Sequence, residues 1–178
     1  MQTAEPTGRF RIRKAEVSDA DELARFAART FSETFGAENT PEDLALHLAK
    51  AYGPAQQGAE LRDPAWTTLL AEEGKSLAGY AQVRTGSAPS CVTGQAPIEL
   101  YRFYVDSPWQ GQGLARRLMA AVDEEALRRG ARTLWLGVWE RNARAQAFYR
   151  KCGFVDVGEQ SFMVGTDRQR DRVMSRSL

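Results

Sequence analysis

Residues 100–115 read Leu100-Tyr101-Arg102-Phe103-Tyr104-Val105-Asp106-Ser107-Pro108-Trp109-Gln110-Gly111-Gln112-Gly113-Leu114-Ala115. The apolar run to Val105 predicts a buried strand, Asp106 to Trp109 a turn, and the glycines the entry to a helix. That helix is expected to run to about Arg129. Leu114, Leu118 and Val122 recur at i, i+4 with Ala115, Met119 and Ala126 beside them, which makes one apolar face. Arg128 and Arg129 suit the negative end of the helix dipole, and Gly130 suits the left-handed position that ends a helix. A helix N-terminus offers free N–H groups and partial positive charge, so this entry reads as a pyrophosphate cradle. The plainer reading is a helix start where two glycines merely turn the chain. Rival phosphate motifs fail on the letters: a dinucleotide fingerprint needs glycine where Arg116 stands, and a Walker A loop ending Gly74-Lys75-Ser76 needs glycine where Leu69 stands.

The length, 178 residues, suits one domain over residues 1–178. Hydrophobic and charged fractions of 43% and 26% are those of an ordinary globular chain. No apolar run is long enough to cross a membrane, and Met1 to Gly8 is polar without a signal-peptide pattern, so a cytoplasmic protein is expected. Two cysteines, Cys91 and Cys152, and one histidine, His47, leave no disulfide framework, no metal site and no Ser-His or Cys-His pair. His47 is expected on a helix surface. A net charge of +1 argues against a nucleic-acid binder. The charge is unevenly spread, −4 over residues 1–109 and +5 over 110–178, which suits an anion on the second part and a cation on the first.

In chain order, residues 9–14 alternate as a strand. Ser18-Asp19-Ala20-Asp21 opens a helix carrying Leu23, Phe26, Ala27 and Phe31, and Thr40-Pro41 opens another that runs through Leu44, Leu48 and Tyr52 to Gly53-Pro54. Trp66–Ala71 and Leu77–Val83 read as a hairpin, residues 85–96 as an exposed loop, and Ile98–Val105 as the central strand. Thr133–Trp139 reads as a strand buried on both faces, and Asn142 to Cys152 as a short helix. Phe154–Val164 and Arg172–Ser177 read as final strands joined by a loop, Gly165–Asp171. This order predicts an α/β or α+β sandwich around one mixed sheet.

Gln110-x-x-Gly113-x-Ala115 after a strand resembles the acetyl-CoA-binding motif of the GNAT acetyltransferases. Asn142-Ala143-Arg144-Ala145-Gln146-Ala147-Phe148-Tyr149-Arg150-Lys151-Cys152-Gly153-Phe154 resembles their second signature, Asn-x-x-Ala-x-x-Phe-Tyr-x-x-x-Gly-Phe. Within that superfamily, Phe31 to Phe35, Asn39 to Leu44, Trp135 to Asn142, and Phe162 to Asp167 with Asp171 resemble the PaiA-type polyamine acetyltransferases. The resemblance implies a mixed, mostly antiparallel sheet of about seven strands with about four helices, its fourth and fifth strands splayed. It implies that acetyl-CoA or coenzyme A lies in the splay, the pantetheine against the main chain of Phe103, Tyr104 and Val105. The pyrophosphate would sit on Gln110, Gly111, Gln112, Gly113, Leu114 and Ala115.

The resemblance further implies that Tyr149 is the acid that protonates the departing thiolate, and that Asn142 touches pantetheine. From its type and place alone, Asn142 equally reads as a helix N-cap. Glu99, on the face of Tyr101 by alternation, is the candidate base acting through water, or else a surface carboxylate. Where related polyamine acetyltransferases often carry an acidic residue, this chain has Tyr101. Glu33, Phe35, Tyr101 and Trp139 are the candidate acceptor-binding residues, with Glu38, Glu42 and Asp43 in the same segment as groove or capping carboxylates. The expected partner is a small amine, polyamines first. Peptide N-termini or lysines, or a non-catalytic acyl-CoA module, are the alternatives. Dimers are common in the superfamily, and nothing in the sequence identifies an interface.

Overall fold

The structure, a computed structural model, describes residues 9–178; the reading of Met1 to Gly8 lies outside the described residues. The elements run β1 (Arg11–Lys14), α1 (Ala20–Phe35), α2 (Pro41–Ala51), α3 (Pro54–Arg62), β2 (Trp66–Glu73), β3 (Ser76–Arg84), β4 (Pro97–Val105), α4 (Leu114–Arg128), β5 (Thr133–Trp139), α5 (Ala143–Lys151), β6 (Val155–Val164) and β7 (Asp167–Ser177). The seven strands form one sheet ordered β1-β2-β3-β4-β5-β7-β6, antiparallel except where β4 meets β5.

Local chemistry sets each helix. Pro41 starts α2 at a position where its missing N–H costs nothing, and Thr40 Oγ1 accepts the amide of Asp43 at 3.2 Å. α4 packs Leu114, Leu118, Met119, Val122 and Ala126 onto one face of the sheet and ends at Gly130, φ +81°. α1 and α2 cover the opposite face through Leu23, Phe26, Phe31, Leu44 and Leu48, against Leu70, Tyr80 and Val164.

Three local features depart from the sequence reading. α2 does stop before Gly53-Pro54, but Pro54 then opens a further helix, α3, that the sequence reading did not foresee. That helix buries Gln57 and Glu60 and so carries no apolar stripe to betray it. The loop expected at Gly165–Asp171 is a two-residue turn, Gly165-Thr166, and β7 begins at Asp167. The charged start of β7 is an exposed ribbon whose side chains pair across β6: Arg168 with Ser161, and Arg172 with Glu159 and Asp156. His47 is half-buried, its ring stacked on Phe31 at 4.4 Å and edge-on to Phe162 at 5.6 Å.

Two irregularities position the site. A β-bulge in β4 skips Tyr101: Gln82 pairs with Arg102, and Val83 with Leu100. Tyr101 and Arg102 therefore share a face. There Arg102 meets Glu60 at 2.6 Å and Gln82 Oε1 at 2.6 Å, and lies 4.8 Å from the ring of Tyr101. The second irregularity is the seam of β4 and β5, which pair only at Pro97↔Thr133, Ile98↔Leu134 and Glu99↔Trp135. Beyond those three pairs the strands part.

Candidate active site

The glycine-rich turn is held from several sides. Asp106, at the end of β4, accepts bonds from Arg29 of α1 at 2.9 and 2.8 Å, and its own N–H donates to Ala78 O at 2.9 Å. The Arg29 guanidinium holds the Asp106 carboxyl below the usual carboxylate range. The Trp109 indole N–H donates to Glu73, Gln112 Nε2 donates to Pro108 O at 2.6 Å, and Gln112 Oε1 accepts from Arg9. Gln110 bridges two elements: its Nε2 donates to Val105 O at 2.9 Å and its Oε1 accepts from Arg144 of α5 at 2.6 Å.

Gly111 and Gly113 stand at φ +74° and +83°, with nothing within 4 Å of a Cβ built on either. Backbone conformation demands these two glycines. The N–H groups of Gly111, Gln112 and Gly113, and those opening α4 at Leu114 to Arg116, have no acceptor among the described residues. Leu114 is fully buried and anchors the turn beneath them, with Ala115 half-buried beside it. A row of free amides at the positive end of a fifteen-residue helix is a place for a multiply charged anion.

The parting of β4 from β5 adds a second set of open groups. Since Asp106 N–H bonds Ala78 O, alternation turns the main-chain groups of Tyr104 toward β3, opposite Tyr80, and those of Phe103 and Val105 toward β5. Of the three expected contacts, Tyr104 is thus committed to β3, and its ring stacks on Tyr80 at 5.6 Å. Phe103 keeps its N–H and C=O, and Val105 its N–H, without a partner on β5. Gln110 takes the remaining carbonyl.

Tyr149 lies at the α4–α5 side of this gap. Its ring packs at 6.3 Å from Phe103, 5.6 Å from Phe148 and 5.7 Å from Phe154, and the residue is 8% exposed. Its hydroxyl has no hydrogen-bond partner among the described residues, and burial pushes its pKa up, so the phenol stays protonated and able to donate. Asn142 is the N-cap of α5, its Oδ1 accepting Ala145 N–H at 3.1 Å.

On the other face of the gap lies a cavity of about 440 Å³ lined in part by Glu99, Tyr101, Trp135, Gln160 and Phe162. The loop 85–96 closes over it: Ser87, Ala88 and Pro89 line the cavity, and Val92 is buried with Trp135 and Val173. Glu99 and Tyr101 do come together, but Arg84 claims both, with Nε 2.5 Å from Glu99 Oε2 and the guanidinium 3.8 Å from the ring of Tyr101. Burial pushes the Glu99 pKa up and Arg84 opposes it.

Phe35 meets Trp139 edge-on at 5.9 Å, beside Glu38 and Arg141. Glu33 is exposed, pairs with Arg29 and does not reach the cavity lining. Asp43 tethers the β6–β7 turn, accepting Thr166 N–H at 2.6 Å and Thr166 Oγ1 at 2.7 Å, which lowers its pKa. Gln160 and Asp106 were missed by sequence reasoning. The signal for Asp106 was its place as first turn residue after the central strand; Gln160 carried none.

Three comparisons bear on this arrangement. The chain is 35% identical over 162 residues to an uncharacterised N-acetyltransferase of Mycobacterium tuberculosis, covering 91% of this chain and 99% of that protein. It is 28% identical over 111 residues to the ribosomal protein bS18-alanine N-acetyltransferase of Escherichia coli, covering 60% of this chain and 75% of that one. The fold is shared with a PaiA N-acetyltransferase from Thermoplasma acidophilum, solved in complex with coenzyme A, with a TM-score of 0.77 and 17% identity over 95% of this chain and 99% of that one. Residues 21–154 match the Acetyltransferase (GNAT) family, and the chain belongs to that family of acetyl-CoA-dependent acyltransferases.

Proposed function

We propose that this enzyme transfers an acetyl group directly to the primary amine of a small cationic acceptor, a polyamine such as spermidine being the first choice. The observation that carries the reading is the union of two open main-chain sets, the free amides of residues 111–116 and the unpaired Phe103 and Val105, with a cavity across the same gap. The amides suit a pyrophosphate, and the exposed edge of β4 suits an amide-bearing arm laid along it as an extra strand. Acetyl-CoA supplies the acetyl group as a thioester, already activated for attack by an amine.

The chain's own residues then have distinct tasks. Gly111, Gln112, Gly113, Leu114 and Ala115 hold the diphosphate through N–H groups, with Gln110 fixing the turn. Asn142 holds the start of α5 in place, and Tyr149 keeps a proton to give to the departing thiolate. Tyr101, Trp139 and Phe35 form the apolar walls on the acceptor side. Glu99 stays with Arg84, and an ion-paired carboxylate is the weaker proton acceptor. Its role here is a polar wall beside Tyr101.

The test is release of free thiol from acetyl-CoA by the purified enzyme with spermidine, spermine, aminoglycosides, amino acids and short peptides. Turnover with polyamines exceeding that with peptides supports the reading. Preference for a peptide N-terminus would replace the acceptor with the class named for the Escherichia coli relative. Thiol release with none of these amines would remove the transferase reading altogether.

A further inference from the structure

Two carboxylates occupy the cavity side of the β4–β5 gap, and they differ in company. Glu99 has Arg84. Asp171 of β7 is 7% exposed, and among the described residues its carboxylate accepts no hydrogen bond and meets no cation. Register places it. Asp171 stands opposite Trp139 on β5 and opposite Gln160 on β6. Two residues before Trp139, on the same face of β5, is Gly137, and the room left there is filled from the neighbouring strands. A Cβ on Gly137 would come within 2.5 Å of Gln160 Nε2 and 3.1 Å of Asp171 Oδ2. Carried forward from Glu99↔Trp135, the parallel register sets Gly137 level with Tyr101, where the gap opens. The Asp171 carboxylate therefore lies over the strand that borders the gap, beside a glutamine that lines the cavity.

Nothing in the fold requires an acid there. A buried carboxylate without a partner is costly, and an apolar or amide side chain would fill the space at less expense. Burial alone pushes the Asp171 pKa up to about 6. The charged groups on the elements packed around it are otherwise engaged. Glu99 pairs with Arg84 across the cavity, Glu38 with Arg141 near Trp139, and His47 of α2 lies against Phe162. Arg170 and Arg172, flanking Asp171 in β7, alternate to the opposite face, where they pair with Glu140, Glu159 and Asp156.

We propose that Asp171, beside Gln160, receives the acceptor's ammonium and takes its proton. The ammonium N–H bond breaks, an O–H bond forms on the Asp171 carboxylate, and the nitrogen keeps the electron pair as a neutral amine. The proton leaves Asp171 to water through the cavity. This rests on the amine-acetylation reading above and adds the group that binds and deprotonates the amine.

The experiment compares wild type with Asp171→Asn, Asp171→Glu and Gly137→Ala, each checked for folding by thermal melting. Spermidine is titrated calorimetrically into the enzyme with coenzyme A bound, and kcat/KM for spermidine is followed from pH 5.5 to 9. Asp171→Asn is expected to bind spermidine at least about tenfold more weakly and to lose roughly 10²-fold in kcat/KM, flattening the acid limb of the profile. Its affinity for coenzyme A should stay within about twofold of wild type, on the same principle that the acid–base group acts on the acceptor alone. Gly137→Ala keeps the carboxylate but displaces it, and should reproduce the loss, while Asp171→Glu should restore part of the binding. Spermidine affinity in Asp171→Asn equal to wild type overturns the proposal, as does wild type failing to bind any amine. Wild type that binds spermidine through Asp171 but transfers no acetyl group keeps Asp171 as the carboxylate that receives the ammonium, and overturns its part in deprotonation together with the acetylation reading.

Discussion

Replacing Glu60 by Gln tests what holds the bulge of β4 in place. Glu60 Oε2 accepts from Arg102 Nη1 at 2.6 Å and from Gln82 Nε2 at 3.1 Å, and the Arg102 and Glu60 side chains are 6% and 4% exposed. Glu60→Gln keeps the shape and leaves a buried guanidinium without its counter-ion. Breaking a buried pair from one side costs about 3–5 kcal/mol. Gln82 Oε1 at 2.6 Å, Ala51 O at 3.4 Å and the rings of Tyr52 and Tyr101, each 4.8 Å away, still receive Arg102. They argue for the lower end, about 3 kcal/mol. At roughly 2–4 °C per kcal/mol for a chain of this size, the melting temperature should fall by about 6–12 °C. Calorimetry and urea unfolding at pH 7 would read it. Removing both charges together, Glu60→Leu with Arg102→Met, should recover stability to within about 1–2 kcal/mol of wild type. Glu60→Gln within about 0.5 kcal/mol of wild type would refute the reasoning, since surface substitutions alone stay in that range.

Further outcomes follow from single positions. Tyr149→Phe should lower kcat by roughly 10²-fold while leaving coenzyme A affinity within about twofold, read by steady-state kinetics and calorimetry; equal loss of both would reduce Tyr149 to packing. Gly113→Ala must adopt φ +83°, costing about 1–2 kcal/mol locally, and should weaken coenzyme A binding roughly tenfold with little change in kcat. Gly165→Ala places a Cβ 2.5 Å from Asp43 Cα at φ +59°, and should destabilise the fold by roughly 2–4 kcal/mol in denaturant titration.

Asp171→Asn also carries a pH signature in stability. Its folded pKa, about 6, stands above the ordinary 3.8, so the folded state holds the proton longer than the unfolded state. Wild type should therefore lose stability relative to the variant as pH rises from 4 to 7, by about 2–3 kcal/mol in total, and by nothing further above that. A difference flat across that window would show that Asp171 is not both buried and unpaired.

The parts of this molecule that the sequence discloses are those where one physical rule acts alone. α4 could be read because an apolar stripe and the glycines at 111 and 113 point to the same helix start. Thr40-Pro41 foretold α2 because capping is local chemistry. α3 escaped because its buried face is polar, Glu60 accepting from Arg102, some forty residues away in sequence, and Gln57 accepting from Gln82. β7 escaped at its start because Asp167 to Arg172 is charged at nearly every position, and only pairing with β6 makes a strand of it. The same run hides the burial of Asp171, whose carboxylate lies beside Gly137 of the neighbouring strand β5, a contact that no local pattern announces. The motif letters lead to the open amides of residues 111–116 and to Tyr149 beside Phe103; the commitment of Tyr104 to β3 they do not give, since it follows from hydrogen-bond alternation.

The three residue pairs that join β4 to β5 act as the spine of a half-open book. One cover carries β1 to β4, the other β5 to β7, and the proposed function puts both substrates where the pages part. How wide they part is set at the spine, where Thr133 Oγ1 donates to Gln95 O, Arg132 N–H to Ala96 O, and Leu178 N–H to Arg132 O. Loosening that corner, far from any reacting atom, would change the aperture for thioester and amine at once. Affinity for the two would then drift together, a signature that no substitution inside the cleft on one cover alone should imitate.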